Sequence, residues 1–333
     1  MAIIKLFQLI FFVTIFNSCQ QHDTKLILSD VSSSGKQLTQ KPNSVQAIYR
    51  SNNNGITWQD VSSGLPPGTE INCVIPFNTD IILASSSGMM HGNKSSSDLM
   101  WKKDFSFFEE VINIFPSEKG IYAVTSDNDF YQKIYGTAIW LPVFSNLKQH
   151  LFFSLLETKE GVIFIGTGRE LLKSIDHGKT WKEVYKNGWI MKIIESDGII
   201  LCTNEHGIIR SDDGGEHWET VISEGGVGIN IGLIDGGFSA ITYNTNSKIR
   251  RMRISLDKAK TWQEIDTNLP KSDGISSIIQ SGDIFLCGHP NGILRSTDKG
   301  KTWDLTLPSI DKKVFNLTQI DSVIFAVPRN QGC

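Results

Sequence analysis

Residues equipped for chemistry recur in this chain at a regular interval. Asp176, Asp213, Asp257 and Asp298, with Asn53 in a fifth copy, each stand third in an octapeptide Ser-x-Asp-x-Gly-x-Thr-Trp. Residues 174–181 and 296–303 are complete copies, whereas His217 replaces Thr in 211–218, Asn53 replaces Asp in 51–58 and Ala259 replaces Gly in 255–262. A carboxylate beside hydroxyls or an imidazole could serve as a general acid or a metal ligand. Five near-copies spread along a chain cannot converge on one substrate, and these residue types have a structural use. Ser and Asp side chains hydrogen-bond the backbone of their own turn, and Gly supplies a positive φ that other residues adopt at a cost. The octapeptide is therefore expected to be a self-bonded hairpin turn. No cysteine or histidine pair has metal-ligand spacing, so no metal and no cofactor are expected.

The elements that carry these turns follow from the tryptophans. Trp58, Trp101, Trp140, Trp181, Trp218, Trp262 and Trp303 stand 43, 39, 41, 37, 44 and 41 residues apart, and Trp189 alone falls outside the series. The segments before Trp101 and Trp140 keep only the tryptophan and its spacing. A period of about 40 to 45 residues is one four-stranded propeller blade. A tryptophan buried at each repeat removes roughly 150–250 Å² from water, a gross gain of about 4–6 kcal/mol. Each repeat runs as two apolar strands, a turn, a third strand, the octapeptide and a fourth strand. In one repeat these strands are expected at 190–196, 199–203, 207–211 and 218–222. After Trp303 the chain offers two further strands, 314–320 and 323–328, and before Trp58 it offers one, 45–51. The two termini should complete one blade between them by pairing 45–51 with 323–328, which removes the edges that an open array would expose. The expected fold is all-β, a seven-bladed β-propeller over 44–333.

A four-stranded meander puts its 2–3 loops and interblade loops on one face and its octapeptide turns on the other. A ligand site is expected on the loop face near the central channel, where Arg169, His206, His289 and Arg329 are candidate donors. Each could equally be a solvated loop residue. Trp189 is either an exposed stacking platform or a plug beneath its loop.

The octapeptides ending at Trp58, Trp181, Trp218, Trp262 and Trp303 resemble the Asp box, or bacterial neuraminidase repeat, of sialidases, sortilin-type receptors, some xyloglucan hydrolases and photosystem II assembly factors. The segments 207–215 and 292–300 most resemble the assembly-factor type, which implies a single seven-bladed propeller acting as a scaffold. A sialidase would need three convergent arginines, a tyrosine nucleophile supported by a glutamate, and an aspartate acid/base. Arg50, Arg210 and Arg295 precede the octapeptide serine and so belong to outer strands on the far side, and the sialidase Phe-Arg-Ile-Pro motif is absent. The scaffold is the favoured reading, with a sialidase-like glycoside hydrolase or a sugar-binding protein as the alternative.

Residues 1–18 have a short basic start, an apolar run over 6–16 and Ser18 before Cys19, the pattern of a lipoprotein export signal with Cys19 as the lipidated residue. The apolar run is too short to span a bilayer. Residues 19–43 are a polar tether, reaching roughly 25–30 Å if flexible. The net charge of −3 supplies no basic patch, which argues against a nucleic-acid partner. Cys73, Cys202 and Cys287 lie in apolar strand runs of different repeats and are expected to be buried thiols, not disulfides. The chain is thus expected to be an exported monomer, held to a bacterial membrane only by its lipid, that binds a protein or glycan of the cell envelope.

Overall fold

The structure, a computed structural model, describes residues 47–330 apart from 95, 97, 107–109, 138 and 187. The export signal, Cys19 and the tether lie outside the described residues, as do Val45 and Cys333. The described strands form seven antiparallel four-stranded sheets. Blades are numbered here by their tryptophans. Blade 2 spans 71–104, blade 3 111–143, blade 4 152–186, blade 5 193–222, blade 6 226–264 and blade 7 277–308. Blade 1 is made from both ends: Val314–Ile320 and Val323–Arg329 supply its inner strands, Tyr49–Ser51 and Gln59–Asp60 its outer ones.

Closure is by register as well as by order. Tyr49 pairs with Ala326, Arg50 with Phe325 and Ser51 with Ile324. The first strands of successive blades touch one another all the way round, blade 1 against blade 2 included, so they wall a central channel. Ile324, Phe325 and Ala326 are almost fully buried, because their strand is paired on both edges and covered on both faces.

The core is divided among the joints between blades. Among the described residues, seven clusters of buried side chains occur, and each contains, or has packed against it, one tryptophan of the repeat series, alongside residues of its own blade and a neighbouring one. Trp101, for example, packs with Ile48 and Phe325 of blade 1 and with Leu83 of blade 2, and its indole N–H donates to Val61 O at 2.8 Å. The 40-residue spacing is thus the spacing of interblade wedges.

The octapeptides form the self-bonded turns expected of them. Ser174 Oγ donates to Asp176 Oδ1 at 2.8 Å and accepts Gly178 N–H at 2.8 Å, while Asp176 accepts the Thr180 backbone N–H at 2.9 Å and its hydroxyl at 2.6 Å. Asn53 keeps the scheme with one bond reversed, its Nδ2 donating to Thr57 Oγ1 at 2.8 Å. Where Gly178 has φ +81°, a Cβ would stand 2.1 Å from the Phe144 ring. Ala259 occupies the matching position in blade 6 at φ 61°, with its methyl fully buried in the blade 5–6 cluster. That contact offsets the cost of a left-handed alanine.

Cys73, Cys202 and Cys287 are free thiols in three blades, half-buried or buried. Cys73 Sγ accepts Ile114 N–H from the next blade at 3.3 Å, and burial pushes its pKa up to about 11.

Candidate functional site

The meander separates the faces as its connectivity requires. The five octapeptide turns, which begin at Ser51, Ser174, Ser211, Ser255 and Ser296, all connect a third strand to a fourth. Residues 168–169, 205–206 and 290–291 connect second strands to third ones on the opposite face.

Three of the candidate residues come together there. Gly188 N–H donates to Arg169 O at 3.2 Å, and a Cβ on Gly188 would stand 2.1 Å from Asn204 Nδ2, so the interblade segment carrying Trp189 is seated between the loops of blades 4 and 5. Thr167 Oγ1 accepts Arg169 N–H at 3.2 Å and Glu170 N–H at 3.0 Å, and Asn204 Oδ1 accepts His206 N–H at 2.9 Å; these short turns lift Arg169 and His206 outward. Both side chains are exposed, His206 with Glu205 3.4 Å away.

Trp189 is half-buried, its ring 6.0 Å from that of Phe153 and tilted by 34°. It is therefore a partly sunk platform with a neighbour, between the two alternatives. Phe153 owes its position to a β-bulge, since the register of blade 4 shifts between Phe152 and Ser154. A bulge bends the strand locally and re-aims one side chain. Leu151 lies beside it, 59% exposed, and Gly168 N–H donates to Leu151 O at 3.0 Å. His150 Nδ1 lies 3.3 Å from Glu170, whose carboxyl is pushed up mainly by burial. The assembled sector is an aromatic and aliphatic floor bordered by a cation and an imidazole. Phe153 and Leu151 escaped sequence reasoning because one inserted strand residue leaves the apolar pattern almost unchanged.

The other two candidates are occupied elsewhere. His289 is buried; its Nδ1 accepts Asn291 N–H at 3.1 Å and its Nε2 faces Pro270 O at 3.4 Å, with burial lowering its pKa. Arg329 donates to the backbone oxygens of Ile71, at 2.7 Å, and Asn72, and so fastens blade 1 to blade 2.

The remaining arginines follow that pattern. Arg210 binds Lys258 O, Glu219 and Asp212; Arg295 binds Asn54 O; Arg50 binds Ser96 O; Arg250 binds Ile275 O. Arg253 pairs with Glu224 and Glu264, and Arg251 lies within 4 Å of Glu264 and Asp266. Arg169 is left as the one arginine among the described residues whose side chain has no bond or ion pair. No set of three arginines converges. A tyrosine and a glutamate do meet, Tyr122 O–H donating to Glu157 Oε2 at 3.2 Å, but Tyr122 is buried and the pair lines a recess beside the octapeptide turn of His177. Burial first, and the Glu157 charge second, hold that phenol well above its usual pKa.

No protein-family model matches the chain, and no curated protein is similar to it in sequence. Solved structures share its fold. A YCF48 protein bound to a D1 peptide is 13% identical with a TM-score of 0.53, over 80% of this chain and 99% of that one. The GH74 xyloglucanase of Xanthomonas campestris is 13% identical with a TM-score of 0.59, over 80% of this chain and 50% of the enzyme. The extracellular domain of a hybrid two-component system of B. thetaiotaomicron is 13% identical with a TM-score of 0.53, over 74% of this chain and 41% of that domain. The chain spans less than half the length of that domain. At such identities the likeness is one of fold, a seven-bladed propeller, and function must come from the site.

Proposed function

We propose that this chain is an exported propeller, anchored through a lipid on Cys19, that binds a protein or glycan of the bacterial cell envelope and performs no catalysis. The observation that carries this reading is the sector on the loop face of blades 4 and 5, where Trp189, Phe153 and Leu151 form a partly exposed apolar floor beside the loops that carry the exposed Arg169 and His206. Tryptophan and arginine at the centre of a small apolar patch are the side chains that most often dominate a protein interface, and aromatic faces also stack on sugars. The distribution of arginines supports a binding role over a sialidase-like one, because seven of the eight fasten strands or turns. The octapeptide aspartates spend their oxygens on their own turns, in keeping with the Asp-box resemblance.

Capture of partners from detergent-solubilised envelope with the tagged full-length chain, alongside a glycan array, tests the reading. Recovery of an envelope protein or glycan, lost in an Arg169→Ala/Trp189→Ala variant, is expected. Hydrolysis of any glycan on the array would contradict it. The anchor is tested separately: Cys19→Ser should release a folded propeller into the soluble fraction, and its retention on membranes after carbonate washing would remove Cys19 from the account.

A further inference from the structure

The seven inner strands that wall the channel contain only two charged residues, Glu157 and Glu195, both at or near strand ends, held by Tyr122 O–H at 3.2 Å and Gly198 N–H at 3.0 Å. Lys192 immediately precedes the inner strand of blade 5 and lines a cavity of about 410 Å³ in the channel, together with inner-strand residues of blades 6, 7 and 1. Its ammonium donates to Asn230 Oδ1 at 2.8 Å, a neutral partner, and forms no ion pair among the described residues. The only carboxylate on the same cavity, Asp321, is bound to Lys94 at 2.6 Å.

We propose that the channel is a binding site, separate from the loop-face sector, in which Lys192 receives the carboxylate of a small organic acid whose aliphatic part lies along Leu233, Ile279 and Leu317. The Lys192 ammonium is open to solvent on the cavity and bonded only to a neutral amide oxygen, so a ligand anion there would make a charge-assisted bond that no described residue supplies. One ammonium with donors to spare matches a single negative charge. The neighbouring amides are spent: Asn230 Nδ2 on Ser276 O, Gln280 Nε2 on Gly282 O and Gln319 Nε2 on Asp321 O. A doubly charged phosphate would find too few donors. The size of the cavity falls within the range of small-molecule sites, and its lining mixes many polar groups with these three aliphatic side chains.

Lys192 is reached by solvent yet enclosed by the ring, and desolvation pulls its pKa down to about 8. Below pH 8 the ammonium is already charged; above it an anion must draw the proton back, so binding takes up a proton there and should weaken about tenfold per pH unit. Among the residues that line the cavity with Lys192, the one other charged group is Asp321, which is paired with Lys94, and the rest are neutral.

Calorimetric titration of the full-length chain with hexanoate, with hexanol and inorganic phosphate as comparisons, tests the site. Hexanoate should bind at pH 7, at least tenfold more weakly at pH 9.5, and not at all to Lys192→Met. Lys192→Arg should bind it with little change between the two pH values, because its guanidinium stays charged. Equal binding of hexanol, tighter binding of phosphate, or unaltered binding by a folded Lys192→Met protein would each overturn the proposal.

Discussion

At the scale of single residues, the octapeptide aspartates are structural charges with a defined pH window. The bonds from Thr180 and Thr302 hold Asp176 and Asp298 at about 2, below the ordinary aspartate value, and Asp213 and Asp257 are shifted the same way. A folded pKa depressed in this way contributes stability that is complete above about pH 4 and disappears as pH falls through about 2. Asn53 shows that an amide can make the same turn without titrating. Asp298→Asn is therefore expected to melt near the parent temperature at pH 7 and to lose less stability between pH 4 and 2, whereas Asp298→Ala should melt lower at pH 7. Thermal unfolding followed across that range checks both. Gly178→Ala should cost more than about 1 kcal/mol, since it meets the Phe144 ring in a left-handed turn; equilibrium denaturation gives the number.

At the scale of elements, the strand Val323–Arg329 is the clasp of the ring. It alone pairs with strands from both ends of the chain, Val314–Ile320 on one edge and Tyr49–Ser51 on the other. Phe325 is 1% exposed and packs between blades 1 and 2, so Phe325→Ala should lower the unfolding free energy by about 3–5 kcal/mol in chemical denaturation. Strand order, blade number and this closure were legible from apolar runs counted against the tryptophans, because strand pairing here is mostly local. The bulges between Ile71 and Cys73, Phe152 and Ser154, and Gly228 and Asn230 were not. A bulge inserts one residue into a run that is apolar on both faces, so periodicity does not register it. Blade 3, which lacks the octapeptide, instead exposes Ile134, Tyr135, Ile139 and Leu141 around its outermost strand, where Pro142 withholds an N–H from the edge.

At the scale of the whole molecule, only part of the site could be read from the sequence. The position of Arg169 and His206 in second-to-third-strand loops is legible in the sequence, because it depends only on connectivity. Arg329 and His289 satisfied the same criterion, yet Arg329 reaches backbone oxygens of blade 2 and His289 caps its own turn. Such contacts exist only once the ring has closed, and no local pattern encodes them. The same holds for Lys192, whose isolation is a property of seven inner strands together. The arrangement leaves a rigid disc with its partner-binding sector expected on the loop face of blades 4 and 5. Hydrogen exchange of the full-length chain, with and without the partner recovered from the envelope, tests this most directly. Protection is expected to increase in 151–154, 167–170 and 186–192, with the turns at 174–181, 255–262 and 296–303 unchanged; protection confined to those turns would contradict it.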